Sequence, residues 1–134
     1  MYEINKTAYG FQLIFGDSMS AAEMQQWHDE SKVLLTSATP GFGVFVDMRT
    51  LKPLTPDAQA IMQQGQKLFK SKGMVRSVVI LASALVTLQF KRIAKETGIY
   101  DWERYIDASS VKDWQSKGIA WVRDKIDPDA AVAA

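Results

Sequence analysis

A chain of 134 residues with 47% hydrophobic and 23% charged residues has the size and composition of one globular domain with a single sizeable core. Its 16 basic residues nearly cancel its 15 acidic ones, so there is no overall field to hold a polyanion or an anionic membrane, and nucleic acid is not an expected partner. The absence of cysteine excludes disulfides, thiolate metal sites and a cysteine nucleophile.

The N-terminal MYEINKTAYG lacks the basic start and apolar run of a secretory signal, and the expectation is a mature cytoplasmic protein. MYEI reads as an edge strand paired across NKT to a second strand, Ala8 to Phe15, whose aromatic and branched residues partly alternate. Met24, Trp27, Ser31, Leu34 and Leu35 then recur at helical spacing, with Ser18 or Ser20 as the cap and TPG at Thr39 to Gly41 as the stop. Phe42 to Met48 is a nearly continuous apolar run, which marks a strand covered on both faces.

Thr55, Pro56 and Asp57 suit the cap, first position and first turn of a second helix. Its inward face is Ala58, Ile61, Met62, Gly65, Leu68 and Phe69, and KSKG closes it. Val75 to Ala82 is the next buried strand, and it feeds a helix bearing Val86, Phe90, Ile93, Ala94 and Thr97 that ends at Gly98. The apolar stretch from Ser77 to Phe90 is broken by Ser83 and is shorter than the about 20 residues a membrane-spanning helix needs, so no transmembrane segment is expected. Arg104 to Ala108 is a further strand. The last helix is expected to start near Ser109 or Ser110, with Ser110 and Asp113 in a capping-box arrangement, and to carry Val111, Trp114, Gly118, Trp121 and Val122 inward. Residues 1–126 thus form one domain, and 127–134 a flexible C-terminal tail.

Strands alternating with helices imply parallel pairing. The predicted fold is α/β, a mixed, mostly parallel sheet of four to five strands with about four helices, in the order β-β-α-β-α-β-α-β-α. That order, with VFVDMRTLKPLTPDA at the second buried strand, resembles the STAS domain of bacterial anti-sigma-factor antagonists and anion transporters. VVILAS, QFKRIAKETGIYDWERYIDASSVKDW and Trp121 resemble its SpoIIAA-like branch of stand-alone domains. The resemblance implies a binding or regulatory role without catalysis. It also implies a phosphoacceptor serine at the start of the helix after the second buried strand, where this chain has Thr55-Pro56-Asp57-Ala58. Only Thr55 is left to accept phosphate, and helix capping accounts for Thr55 without a kinase.

His28 is the only histidine, and no catalytic or metal-ligating set is legible around it. PGFGVF precedes a strand, so it is a turn and no phosphate cradle, and no cofactor is expected. Asp47 and Asp107 fall near the C-terminal ends of parallel strands, the edge where open α/β sheets bind ligands, and Ser83 and Thr87 begin a helix on that edge. Pairing of Asp47 with Arg49, or bonding to the backbone amides of its loop, is the expected use of the first acid. Leu85 and Leu88 lie off the inward face of the third helix, beside a small basic group of Lys91, Arg92 and Lys95. The candidate partner or ligand residues are therefore Asp47, Arg49, Thr55, Asp57, Ser83, Leu85, Thr87, Leu88, Lys91, Arg92, Asp107 and Ser109. The expected role is a homodimeric module with a regulatory protein partner or a small apolar or anionic ligand. Two alternatives remain: a small-molecule or lipid carrier with Leu85, Leu88, Phe90 and Tyr100 around one apolar pocket, and a small hydrolase using Asp47, Asp107 and Ser83 or Ser109.

Overall fold

The computed structural model describes residues 1–130. In chain order it contains β1 (Tyr2–Lys6), β2 (Gly10–Asp17), α1 (Ala21–Leu34), β3 (Phe42–Leu51), α2 (Pro56–Ser71), β4 (Met74–Leu81), α3 (Ala84–Thr97), β5 (Glu103–Asp107) and α4 (Trp114–Asp124). This is an α/β fold whose five strands lie in the order β1-β2-β3-β4-β5. β1 runs antiparallel to β2, and all later neighbours are parallel.

Alternation along the strands sends side chains to two unlike faces. On one face Leu13, Phe15, Val44, Val46, Val79 and Leu81 pack with Trp27 of α1, Phe69 of α2 and Phe90 of α3. On the other, Phe45, Val78, Ile80 and Ile106 pack with Trp121 and Val122 of α4. One helix about 10 Å wide spans only about two strands at a spacing of about 4.8 Å. The β1–β2 end of that second face is accordingly polar, with Asn5 bonded to Gln12.

Two glycines allow close approach. A Cβ on Gly65 would lie 2.2 Å from the Trp27 ring, which stacks on Phe69 at 5.8 Å between centroids. A Cβ on Gly118 would lie 2.6 Å from the Phe45 ring.

The helix starts follow local chemistry. Of the two serines offered for α1, Ser20 is the cap, accepting from the Glu23 N–H at 3.1 Å. Thr55 caps α2 with Pro56 inside it, and Ser83 caps α3. Gly98 ends α3 in the left-handed conformation, φ 81°.

The start of α4 differs from the expectation. Neither Ser109 nor Ser110 caps it: α4 begins at Trp114 after Asp113, whose side chain makes no capping bond. The reason is upstream. The Asp107 carboxylate accepts from the Ser109 N–H at 2.9 Å and its hydroxyl at 2.5 Å, and the Val111 N–H donates to the Asp107 carbonyl at 2.9 Å. That turn uses the groups a helix start would need.

After α4, Asp127 is held by the Arg104 guanidinium through bonds of 2.8 and 3.0 Å. The first part of the expected tail therefore lies against β5, and 131–134 fall outside the described residues.

Candidate functional site

The parallel strands present their C-terminal ends on one edge, and α3 begins there. Ser83 accepts from the Val86 N–H at 3.3 Å, and the Thr87 hydroxyl donates to the Ser83 carbonyl at 2.8 Å, fixing the first turn. Between this turn and edge strand β5 lies a hollow of about 550 Å³ lined by Ser83, Thr87, Leu88, Lys91, Tyr105 and Asp107, among others. A second hollow of about 360 Å³ continues along β5 past Tyr100, Glu103, Arg104 and Asp129. Lys91 and Tyr105 belong to both. The Lys91 ammonium stands 5.3 Å from the centre of the Tyr105 ring, and Lys95 stands 4.8 Å from that of Tyr100, within reach of cation–π attraction. The trough between α3 and β5 therefore has an apolar end at Leu88, a cation in its middle and tyrosines along its wall.

Behind that wall is a buried acid. Glu103 is 4% exposed. It accepts from the Ser77 hydroxyl at 2.5 Å and from the Tyr105 hydroxyl at 2.7 Å. Burial drives its carboxyl up to about 7 against the pull of those two hydrogen bonds. The Tyr105 phenol is raised in turn, first by its own burial and then by the Glu103 charge. On the far side Glu103 and Ser77 border a core cavity of about 40 Å³ that Gln66 of α2 also lines. Gln66 accepts from the buried Thr97 hydroxyl at 2.7 Å.

Of the residues singled out from the sequence, Ser83, Thr87, Leu88, Lys91 and Asp107 come together in this trough. Leu85 lies beside it on the outer surface of α3, 55% exposed, with Leu88 at 66%. The others lie elsewhere. Asp47 grips Arg49 through bonds of 3.0 and 2.9 Å, as expected, and the Arg49 guanidinium stacks 4.2 Å from the centre of the Trp114 ring. That pair fastens the start of α4 to β3. Thr55 is occupied as the α2 cap, Asp57 stands in its first turn, and Arg92 bonds Gln59 across the α2–α3 contact. Ser109 is held by Asp107, and its hydroxyl and N–H keep that acid below the usual carboxylate range.

Asp47 and Asp107 do not meet: they sit on β3 and β5 with β4 between them. The strongly raised carboxyl is Glu103. Nor do Leu85, Leu88, Phe90 and Tyr100 surround one pocket. Phe90 is in the core, Leu85 and Leu88 face outward, and Tyr100 lines the second hollow. The core cavity of about 40 Å³ has room for about one water. Among the described residues, no cluster of His, Cys, Asp and Glu could hold a metal, and no helix is long and apolar enough to cross a membrane.

Pattern and motif do not single out Glu103, Ser77, Gln66 or Tyr105. One signal was available: Glu103 and Tyr105 are two apart on a strand and so share a face. No protein-family model matches this chain, and no curated protein matches it.

Proposed function

We propose that this chain is a non-enzymatic, cytoplasmic binding and regulatory module of the STAS, SpoIIAA-like type. It works by protein–protein contact through the outer surface of α3 and the adjoining trough, and pairs with itself as a homodimer. The observation that carries this reading is the exposure of two leucines one turn apart, Leu85 at 55% and Leu88 at 66%, beside an open hollow on the C-terminal strand edge. Covering a leucine fully contributes about 1.5–3 kcal/mol, so two on one face supply an interface with a usable apolar centre. Lys91 and Arg92 stand beside that centre and would set the register of a partner by charge.

Kinase control is not part of the proposal. The Thr55 side chain already accepts from the Ala58 N–H, and the stretch has no serine.

Native mass spectrometry and light scattering of the wild type and of Leu88→Glu test the reading. A wild-type dimer that becomes a folded monomer in the variant supports it. A wild-type monomer carrying a defined additional mass would overturn it in favour of a small-ligand protein.

A further inference from the structure

Among the described residues, no cationic side chain is bonded to the Glu103 carboxylate, and each of its oxygens is met by one hydroxyl. The groups around it are identifiable element by element. Ser77 approaches from β4, Tyr105 from β5 and Gln66 from α2 across the small cavity. Lys91 and Lys95 of α3 stand over the Tyr105 and Tyr100 rings, and Tyr100, Asp101 and Asp129 line the outer hollow. The Arg104 guanidinium, held by Asp127, donates to the backbone carbonyls of Asp101 at 2.9 Å and Glu103 at 3.1 Å and makes no bond to the Glu103 carboxylate.

The two hydroxyls differ in what else they can do. Ser77 is fully buried, whereas Tyr105 is half-buried and borders both hollows. A carboxylate only accepts hydrogen bonds, but a carboxylic acid must also donate one. If the acid proton pointed at Ser77, the serine hydrogen would turn toward the small cavity that Gln66 also lines, and the outer hollow would be unchanged. If it points at Tyr105, the phenol oxygen accepts it and the phenol hydrogen turns about the Cζ–Oη bond into the open hollow.

We infer that the trough carries a proton-operated polarity switch, which rests on the reading of that trough as the docking face. With Glu103 ionised, Tyr105 donates inward and shows the hollow only lone pairs. With Glu103 neutral, Tyr105 accepts from it and donates outward. One proton is taken up from solvent at Glu103 Oε1, and no bond other than O–H is made or broken. The neutral state sets an outward phenol donor beside the Lys91 ammonium, which suits a partner's carboxylate or carbonyl oxygen. The ionised state withdraws that donor. Binding of an acidic partner segment is therefore coupled to proton uptake at Glu103.

The test uses the protein alone, with carbon-13 at the glutamate Cδ and tyrosine Cζ positions, titrated by NMR. The expected result is that Glu103 titrates with a midpoint at about 7, that the Tyr105 Cζ signal shifts with that midpoint while the phenol keeps its proton, and that the Leu88 and Lys91 amides follow. In Tyr105→Phe, the Glu103 midpoint rises, because a hydrogen bond to its charged form is gone, and the amides cease to follow. A Glu103 midpoint in the ordinary range near 4.5, or a Tyr105 signal that stays flat while Glu103 titrates, overturns the switch. Neither outcome depends on a partner, so a working switch in a protein that proves monomeric and partnerless would refute the docking reading alone.

Discussion

Replacing Glu103 by Gln should remove a pH dependence of stability whose size follows from the structure. The carboxyl ionises at 4.5 when free and at about 7 in the fold. At ~1.4 kcal/mol per tenfold, ionising it inside the protein costs about 3 kcal/mol more than in the unfolded chain. Between those two values the folded protein keeps a proton that the unfolded chain has released, so stability falls as pH rises. The contribution is present in full below the unfolded value and lost as pH passes through the folded one. Urea unfolding at steps from about pH 5 to about pH 8 should show the wild type losing about 2–3 kcal/mol relative to Glu103→Gln over that range. Gln keeps the shape and can both donate and accept toward Ser77 and Tyr105. The acids held below their usual range, Asp107 and Asp127, change protonation below this window and drop out of the comparison. A wild-type-minus-variant difference that is flat from about pH 5 to about pH 8 would refute the reasoning.

Other substitutions probe the frame around the site. Gly65→Ala should destabilise by about 1–3 kcal/mol in the same urea assay despite the better helix propensity of alanine, because the Trp27 ring stands where the methyl must go and is pinned by Phe69. Leu88→Glu should leave the unfolding free energy of the monomer within about 0.5 kcal/mol, since that side chain is already mostly in solvent, while abolishing self-association by light scattering. Thr55→Ala should cost about 0.5–1 kcal/mol in thermal unfolding, at the low end for a cap because its bond is long at 3.5 Å. A double-mutant cycle of Arg104→Ala and Asp127→Ala should give a coupling of about 1 kcal/mol. It should also alter Trp121 fluorescence, because the Arg104 guanidinium lies 4.4 Å from the centre of that ring.

Where a residue's environment follows from periodicity, the sequence was sufficient. The continuous apolar runs of β3 and β4 were readable because parallel strands are covered on both faces, and the buried stripe Val86, Phe90, Ile93, Ala94 and Thr97 of α3 is the one its spacing implies. The start of α4 was not readable, since Asp107 and the two serines after it can build either a turn or a cap, and only the placement of the following backbone decides between them. Glu103 was missed for a different reason. Its strand starts one residue earlier than its pattern indicated, and an acid at a strand end reads as solvated unless a partner such as Ser77, 26 positions away, is known to face it. Gln66 shares the spacing of Met62 and Phe69 on α2, so its burial was implied by periodicity and obscured by its polarity.

The site arises from how far the helices reach across the sheet. The buried stripe of α3 packs with Val79 and Leu81 of β4 in the large core, and edge strand β5 flanks the open trough beside α3. Its inward side chains, Glu103 and Tyr105, must cover the sheet edge themselves. A tyrosine can do so because its ring packs against apolar neighbours while its hydroxyl needs a partner, and the acid two positions earlier supplies that partner. The Lys91 stem and ammonium then close over the ring. An all-apolar edge would be drier, and it would also expose a flat, sticky strand. The arrangement found here leaves a carboxyl deep enough to hold its proton near neutrality and one phenol away from an open hollow, which is the geometry that proton-linked binding requires.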